Sequence, residues 1–323
     1  MTPIPTALTV FIDKNYLYPA IVMLSSAHKH LNTEVHFVIG TFSEELSAQD
    51  KAAVTRILCS RPREVSFVEI SKQNLINEIQ NIDTKEHFGY AAFGRLHLQD
   101  FIEERHIYSD VDVLFTTGSN DILKQIPETN SIGFVSQSSA LGRSQLDFDP
   151  ENKEFFSGFI SWPIKNQRPK LNLKSIKPWR TQHSTHDQAL LNSTLNQSYL
   201  ELTPELCQLD NPILRTNHFG PGIVHFFGNW KPWHAKVESR KECIKVGCSW
   251  VFWFHEEDET FALAKKLNLD NWLLAQRRRS YEGTSFNLRA MQFLSAVARA
   301  VGMDGLFSRT FRKLFRREFH LVH

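Results

Sequence analysis

The amino-acid sequence predicts an α/β fold: a mostly parallel sheet with helices on both faces, followed by a helical, basic C-terminal segment. Three observations carry that expectation. Apolar runs rich in Val, Ile and Phe alternate with segments of helical spacing through the first 115 residues, the pattern of strands joined by crossover helices. The composition, 41% hydrophobic and 22% charged over 323 residues, is that of a soluble globular chain with one large domain or two smaller ones. The net charge of +2 hides an asymmetry. Residues 277–323 hold ten Lys/Arg against Glu282, Asp304 and Glu318, a charge of +7, which leaves −5 for the remainder. The expected division is therefore an α/β domain over 1–255 and a helical, basic amphipathic segment over 256–323.

The elements follow in order. "LTVFI" (8–12) reads as a buried strand and "YPAIVMLSSAHKH" (18–30) as a helix. "EVHFVIG" (34–40) is a strand, "SEELSAQDKAAVTRIL" (43–58) a helix opening at Ser43, and "EVSFVEI" (64–70) an alternating strand. "GYAAFGRLHLQDFI" (89–102) is helical and "HIYSDVDVLF" (106–115) supplies the next strand. Beyond it, "SIGFVSQ" (131–137), "FFSGFISWPI" (155–164) and "GIVHFFG" (222–228) read as strands. "HDQALLNSTL" (186–195) and "ETFALAKKLNLDNWLLAQRRR" (259–279) read as helices. Between them, "KNQRPKLNLKSIKPW" (165–179) is a polar excursion.

Several classes are excluded. The four cysteines, Cys59, Cys207, Cys243 and Cys248, include no CxxC, which points to buried thiols in a reducing compartment. No charged n-region or long apolar stretch opens the chain, and no run of about 18 uncharged apolar residues occurs, so a cytoplasmic protein is expected. No interleaving of aromatic and basic residues on the body suggests nucleic acid.

In an open α/β sheet, ligands bind at the carboxyl ends of the strands. Asp13 and the Asp110-x-Asp112 pair both fall there. Two carboxylates so placed either cap a turn or hold a hard divalent cation that bridges a diphosphate. "HFFGNWKPW" (225–233) weights the second reading: His225 ends an apolar run, Gly228 follows, and Lys231 stands in a tight turn before Pro232 and Trp233. An imidazole is a plausible third ligand to Mn²⁺, and the lysine a phosphate partner.

With these residues in view the chain resembles glycosyltransferase family 8, the glycogenin and bacterial lipopolysaccharide galactosyltransferase type. "VFIDKNYLYPAIVMLSSAHKH" is similar to the family's first strand, nucleotide loop and helix. "GYAAFGRLHLQDFIEERHIYSDVDVLF", "THDQALLN" and "HFFGNWKPW" match its later motifs in order. The resemblance implies a single GT-A, Rossmann-like domain that transfers a hexose, with retention, from a UDP-sugar such as UDP-glucose or UDP-galactose to a glycan or glycolipid acceptor. Lipopolysaccharide or surface polysaccharide synthesis is the implied setting. Asp13, Asn15 and Tyr16 would hold the nucleoside. Asp110, Asp112 and His225 would ligate Mn²⁺ or Mg²⁺, and Lys231 with the Gly228 backbone would bind phosphate. Ser157 and Gly158 belong to the donor site, and Arg95 would lie by the diphosphate. Asp187 would bind donor hydroxyls, and Gln188 would face the anomeric carbon.

One departure is that "FFSGF" places Phe156 where the family has an Asn that contacts the donor sugar. That leaves the sugar open and keeps two other readings in play: an inactive sugar-nucleotide or glycan-binding scaffold, and a nucleotide-sugar hydrolase. In the tail, Phe307, Phe311, Leu314 and Phe315 share one helical side, with Arg309, Arg312, Lys313, Arg316 and Arg317 on the other. Such a helix suits the anionic inner face of a membrane as a peripheral anchor, or else packs on the domain with a solvated basic face.

Overall fold

Strand β1 (Ala7–Ile12) is buried at every position, with neighbours on both sides and both faces covered. The protein is described by a computed structural model over residues 7–32, 34–59, 64–79, 90–136, 155–171, 191, 194–195, 199–210, 220–226, 231–235, 240–241, 243–244 and 249–282. Leu8, Val10 and Ile12 point into one core with helix α1 (Leu17–His30) and helix α2 (Ala48–Leu58). Ala7 and Phe11 point into the other with helix α3 (Lys72–Glu78) and helix α4 (Ala91–Leu98). This is the two-residue period of a strand covered on both faces.

Among the described residues the main sheet has the order β3-β2-β1-β4-β7-β6-β8. Its members are β1, β2 (His36–Phe42), β3 (Val65–Ile70), β4 (His106–Ser109), β6 (Gly133–Ser136), β7 (Phe155–Trp162) and β8 (Leu200–Glu201). The sheet is mostly parallel, as expected; β7 runs against both its neighbours, β4 and β6. A second sheet has the order β5-β10-β9, from β5 (Val113–Phe115), β9 (Gln208–Asp210) and β10 (Ile223–Phe226). The expected single strand over 106–115 is therefore two strands in two sheets, with residues 110–112 at the crossing.

Other boundaries also move. The helix expected from Ser43 starts at Ala48, because Ser47 and Asp50 form a reciprocal capping box and Glu44 adopts φ 70°. The helix expected over 89–102 is α4 followed by a short 3₁₀ turn, Gln99–Phe101. After helix α5 (Ser119–Leu123), the long helix expected over 259–279 proves to be two. Helix α6 (Trp250–Lys266) runs unbroken through position 255, and helix α7 (Asp270–Glu282) follows a break at which Asn268 takes φ 56°. Most of the expected helix 186–195, and the tail beyond Glu282, lie outside the described residues.

Glycine sets how closely α4 approaches the sheet. A Cβ on Gly94 would lie 2.3 Å from the Phe11 ring. Its absence lets the helix settle on β1 and brings the next residue, Arg95, against the strand ends.

Candidate active site

The crossing between the sheets is fixed from both sides by main-chain bonds. Asp110 N–H donates to the Gly158 carbonyl on β7 at 2.8 Å, and Phe226 N–H on β10 donates to the Asp112 carbonyl at 2.8 Å. Asp110 thus belongs to the end of the large sheet and Asp112 to the start of the small one, with Val111 buried between them. His225 pairs with Val113 in the antiparallel β5–β10 ladder, which sets its ring beside Asp112. Ligand atoms of Asp110, Asp112 and His225 lie within 4.8 Å of one another.

The electrostatics of this cluster are those of a cation site. Burial alone would push the Asp112 carboxyl up, but His225 and Lys231 beside it hold it well below the usual carboxylate range. Burial opposes protonation of His225, and the adjacent Asp112 carboxylate more than offsets this, raising its pKa to about 10. Lys231 reaches in from the turn before Pro232; its ammonium donates to Asp112 Oδ2 and, at 2.8 Å, to the Phe226 carbonyl. Asp112 Oδ1 is buried and paired with His225 Nε2 at 3.0 Å. Two carboxylates and an imidazole whose ligand atoms converge within 4.8 Å fit a divalent cation. A divalent cation would be held by Asp110, Asp112 and His225, and its binding would require the imidazole to give up its proton.

Arg95 is 7% exposed and engaged on three sides. It donates to Asp110 Oδ1 at 2.9 Å and to the Ser157 carbonyl and hydroxyl at 3.0 and 2.8 Å. Its guanidinium also lies 5.4 Å from the Tyr108 ring centre. Tyr108 adds its own hydroxyl to Asp110 Oδ1 at 2.8 Å. One oxygen of Asp110 is thus held from behind, while Oδ2 faces Gly158 and His225.

His225 is enclosed. The Phe156 ring meets it edge-on, with centroids 4.9 Å apart and planes at 82°. The buried Cys207 thiol is 3.6 Å from Nδ1, and Gly158 lies beneath the ring, where a Cβ would come within 2.7 Å of Cε1. With Nδ1 against the Cys207 sulfur, the ring is oriented so that Nε2 points at Asp112.

The remaining expected residues divide. Asp13 closes the turn after β1, accepting N–H bonds from Asn15 at 2.8 Å and Tyr16 at 3.2 Å, while burial raises its carboxyl pKa. Tyr16 is 47% exposed, its ring presented at the strand ends. Asp187, Gln188 and Gly228 lie outside the described residues. Sequence reasoning missed Tyr108 and Cys207. Tyr108 carries a local signal, two residues before Asp110 on the strand. Cys207 carries none, because its contact with His225 exists only through the β9–β10 pairing.

Residues 7–237 match glycosyl transferase family 8. General stress protein A of Bacillus subtilis (strain 168) is 25% identical over 199 residues, spanning 54% of this chain and 68% of that protein. Among solved structures, the galactosyltransferase LgtC, in complex with donor and acceptor sugar analogs, is similar with a TM-score of 0.57 at 19% identity. That likeness covers 75% of this chain and 95% of LgtC. The apo form of the glycosyltransferase GlyE from Streptococcus pneumoniae TIGR4 gives a TM-score of 0.51 at 16% identity, over 80% and 64% of the two chains.

Proposed function

Since the chain belongs to glycosyl transferase family 8, and is thus a glycosyltransferase of GT-A fold, we propose that it moves a hexose from a UDP-sugar to a glycan or glycolipid. UDP-glucose and UDP-galactose are the proposed donors, with retention at the anomeric carbon and dependence on Mn²⁺. The observation that carries this is the convergence of Asp110, Asp112 and His225 within 4.8 Å, with Lys231 alongside. A bound divalent cation supplies positive charge to the departing diphosphate. Lys231 has three donors and turns one of them to a phosphate oxygen. Arg95, expected beside the diphosphate, is read here as the group that holds Asp110, because its bonds go to Asp110 and Ser157. Asp13, Asn15 and the exposed Tyr16 ring form the nucleoside turn, and the Gly228 backbone adds to phosphate binding.

In the proposed step the bond from the anomeric carbon to the diphosphate oxygen breaks, and one to the acceptor oxygen forms on the same face. The acceptor proton passes to the leaving phosphate. Gln188, a neutral amide and weak nucleophile, stands at the opposite face, and Asp187 orients the donor hydroxyls. Phe156 packs on His225, so it shapes the donor site through the imidazole and removes the polar contact that an Asn would make with the sugar.

A screen of UDP release tests the proposal: UDP-glucose, UDP-galactose and their N-acetylated forms, with and without a glycan acceptor, in Mn²⁺ or chelator. Acceptor-dependent release is the expected result. Release indifferent to acceptor identifies a nucleotide-sugar hydrolase, and no release with any donor or cation identifies the inactive scaffold.

We propose the synthesis of lipopolysaccharide or surface polysaccharide as the setting. No helix among the described residues is long and apolar enough to cross a membrane. The basic, Phe-rich tail is proposed to bind an anionic membrane face. Sedimentation with anionic liposomes checks this: the full chain co-sediments, a chain ending at residue 302 does not, and failure of the full chain to bind refutes it. Because α6 runs through residue 255, the catalytic unit is proposed to include α6 and α7, with the tail beginning after Glu282.

A further inference from the structure

The region matched to the family ends at residue 237, yet α6 and α7, which follow it, reach back to both halves of the candidate site. From α7, the Ser280 hydroxyl donates to the Asn15 carbonyl. That carbonyl and the Tyr16 N–H belong to one planar peptide unit. The N–H donates to Asp13 Oδ1 at 3.2 Å, so the peptide is held at one end by its own turn and at the other by α7.

Arg277, one turn before Ser280, pairs with Glu257 of α6 at 3.1 Å. The Glu257 side chain is 1% exposed and also takes Arg240 at 2.9 Å and the hydroxyl of Tyr18, two residues beyond Tyr16. A buried carboxylate with two guanidiniums and a phenol is costly to assemble and tolerates few alternative arrangements. It fixes the start of α1 against α6 and α7. On the other side, Trp253 of α6 packs on Trp233 at 5.0 Å and on Phe226 at 5.6 Å between ring centres. Helix α7 itself packs on the Pro232–His234 turn that follows Lys231. Trp272 and Gln276 tie α7 to Asp50 at the start of α2, at 3.0 and 3.4 Å.

We propose that α6 and α7 form a buttress setting the 13–16 turn against the Lys231 turn, with Ser280 as a positioning residue for the nucleotide. The proposal rests on the reading of Asp13, Asn15 and Tyr16 as the nucleoside turn. The Ser280 hydroxyl reaches the turn through a main-chain carbonyl, and replacing serine by alanine removes that hydroxyl while keeping the Cβ.

The test compares the full-length chain with Ser280→Ala and Ser280→Thr. Three quantities are read: amide hydrogen exchange at Asn15 and Tyr16 without ligand, UDP affinity by calorimetry with Mn²⁺, and KM against kcat for the donor. Loss of one net hydrogen bond corresponds to about a fivefold effect. Ser280→Ala is expected to accelerate exchange at Tyr16 and weaken UDP binding about fivefold, with KM rising more than kcat falls and Ser280→Thr restoring both. Unchanged exchange overturns the buttress. Faster exchange with unchanged UDP affinity overturns the positioning role. If the parent chain binds no UDP while Ser280→Ala still exchanges faster, the nucleoside reading of the turn fails and the positioning role falls with it.

Discussion

Replacing Gly158 with alanine tests the cation site where it has least room. The new methyl carbon would stand 2.7 Å from His225 Cε1, 3.2 Å from Nδ1 and 3.0 Å from Asp110 Oδ2. Ordinary contact begins at 3.4 Å, so the imidazole must retreat by about 0.7 Å. It has nowhere to go: Phe156 closes one side and Cys207 another. Asp110 is pinned by Arg95 and Tyr108. Overpacking of this kind costs about 1–3 kcal/mol. Ligand distances in metal sites tolerate only about 0.2 Å, so Mn²⁺ affinity should fall by about 10- to 100-fold, the scale seen when a ligand loses its support. Calorimetric titration of metal-free protein with Mn²⁺ reads the affinity, and thermal melting reads the stability. Gly133→Ala is the control: its methyl presses first on the Leu202 side chain, at 2.9 Å, and it should lower the melting temperature while leaving Mn²⁺ affinity within twofold. Gly158→Ala with parental affinity and melting temperature would refute the placement of His225 and Asp110 as joint ligands.

Asp112→Ala removes the carboxylate between His225 and Lys231. Breaking such a buried pair should lower stability by about 3 kcal/mol and abolish Mn²⁺-dependent UDP release; retained release refutes the metal role. Cys207→Val should weaken Mn²⁺ binding about tenfold while Cys207→Ser largely keeps it, since serine still offers Nδ1 an acceptor; equal losses in both point to packing alone. His106 is buried, and burial together with the nearby Arg168 lowers its pKa from 6.5 to about 3. Between those values the unfolded chain binds the extra proton, so stability is full above pH 6.5 and declines as pH falls toward 3. At pH 4.5 the loss is about 2–3 kcal/mol. Urea midpoints should therefore drop more steeply between pH 7 and 4.5 in the parent than in His106→Gln, and parallel curves contradict the assignment.

Much of the architecture was legible because it is local. The two-residue period of β1, β2 and β3 and the helical spacing of α1 declare themselves within a dozen residues. They were located to within a few positions. The helix start at Ala48 was misplaced because Ser43 and Ser47 are both able to cap, and the choice depends on which one finds Asp50 three residues on. The run 106–115 looks like one strand in the sequence because continuous apolar character cannot reveal that Asp110 and Asp112 bond to different sheets.

The candidate site divides along the same line. Residue types and order alone marked Asp110, Asp112, His225 and Lys231, since the chemistry of a cation and a phosphate demands those groups and their motifs are compact. That Asp110 and Asp112 meet His225, more than a hundred positions away, within 4.8 Å is a property of two strand ladders and one crossing. Likewise, Cys207 behind His225, Arg95 turned to Ser157, and Ser280 on the Asn15 carbonyl have no sequence signature. Each joins side chains whose neighbourhood is created by packing. The sequence determined which chemistry was present, because reactive groups are carried by single residues and short motifs. Only the tertiary structure decided which groups touch a ligand and which hold those that do, because that depends on distances between segments no local pattern encodes.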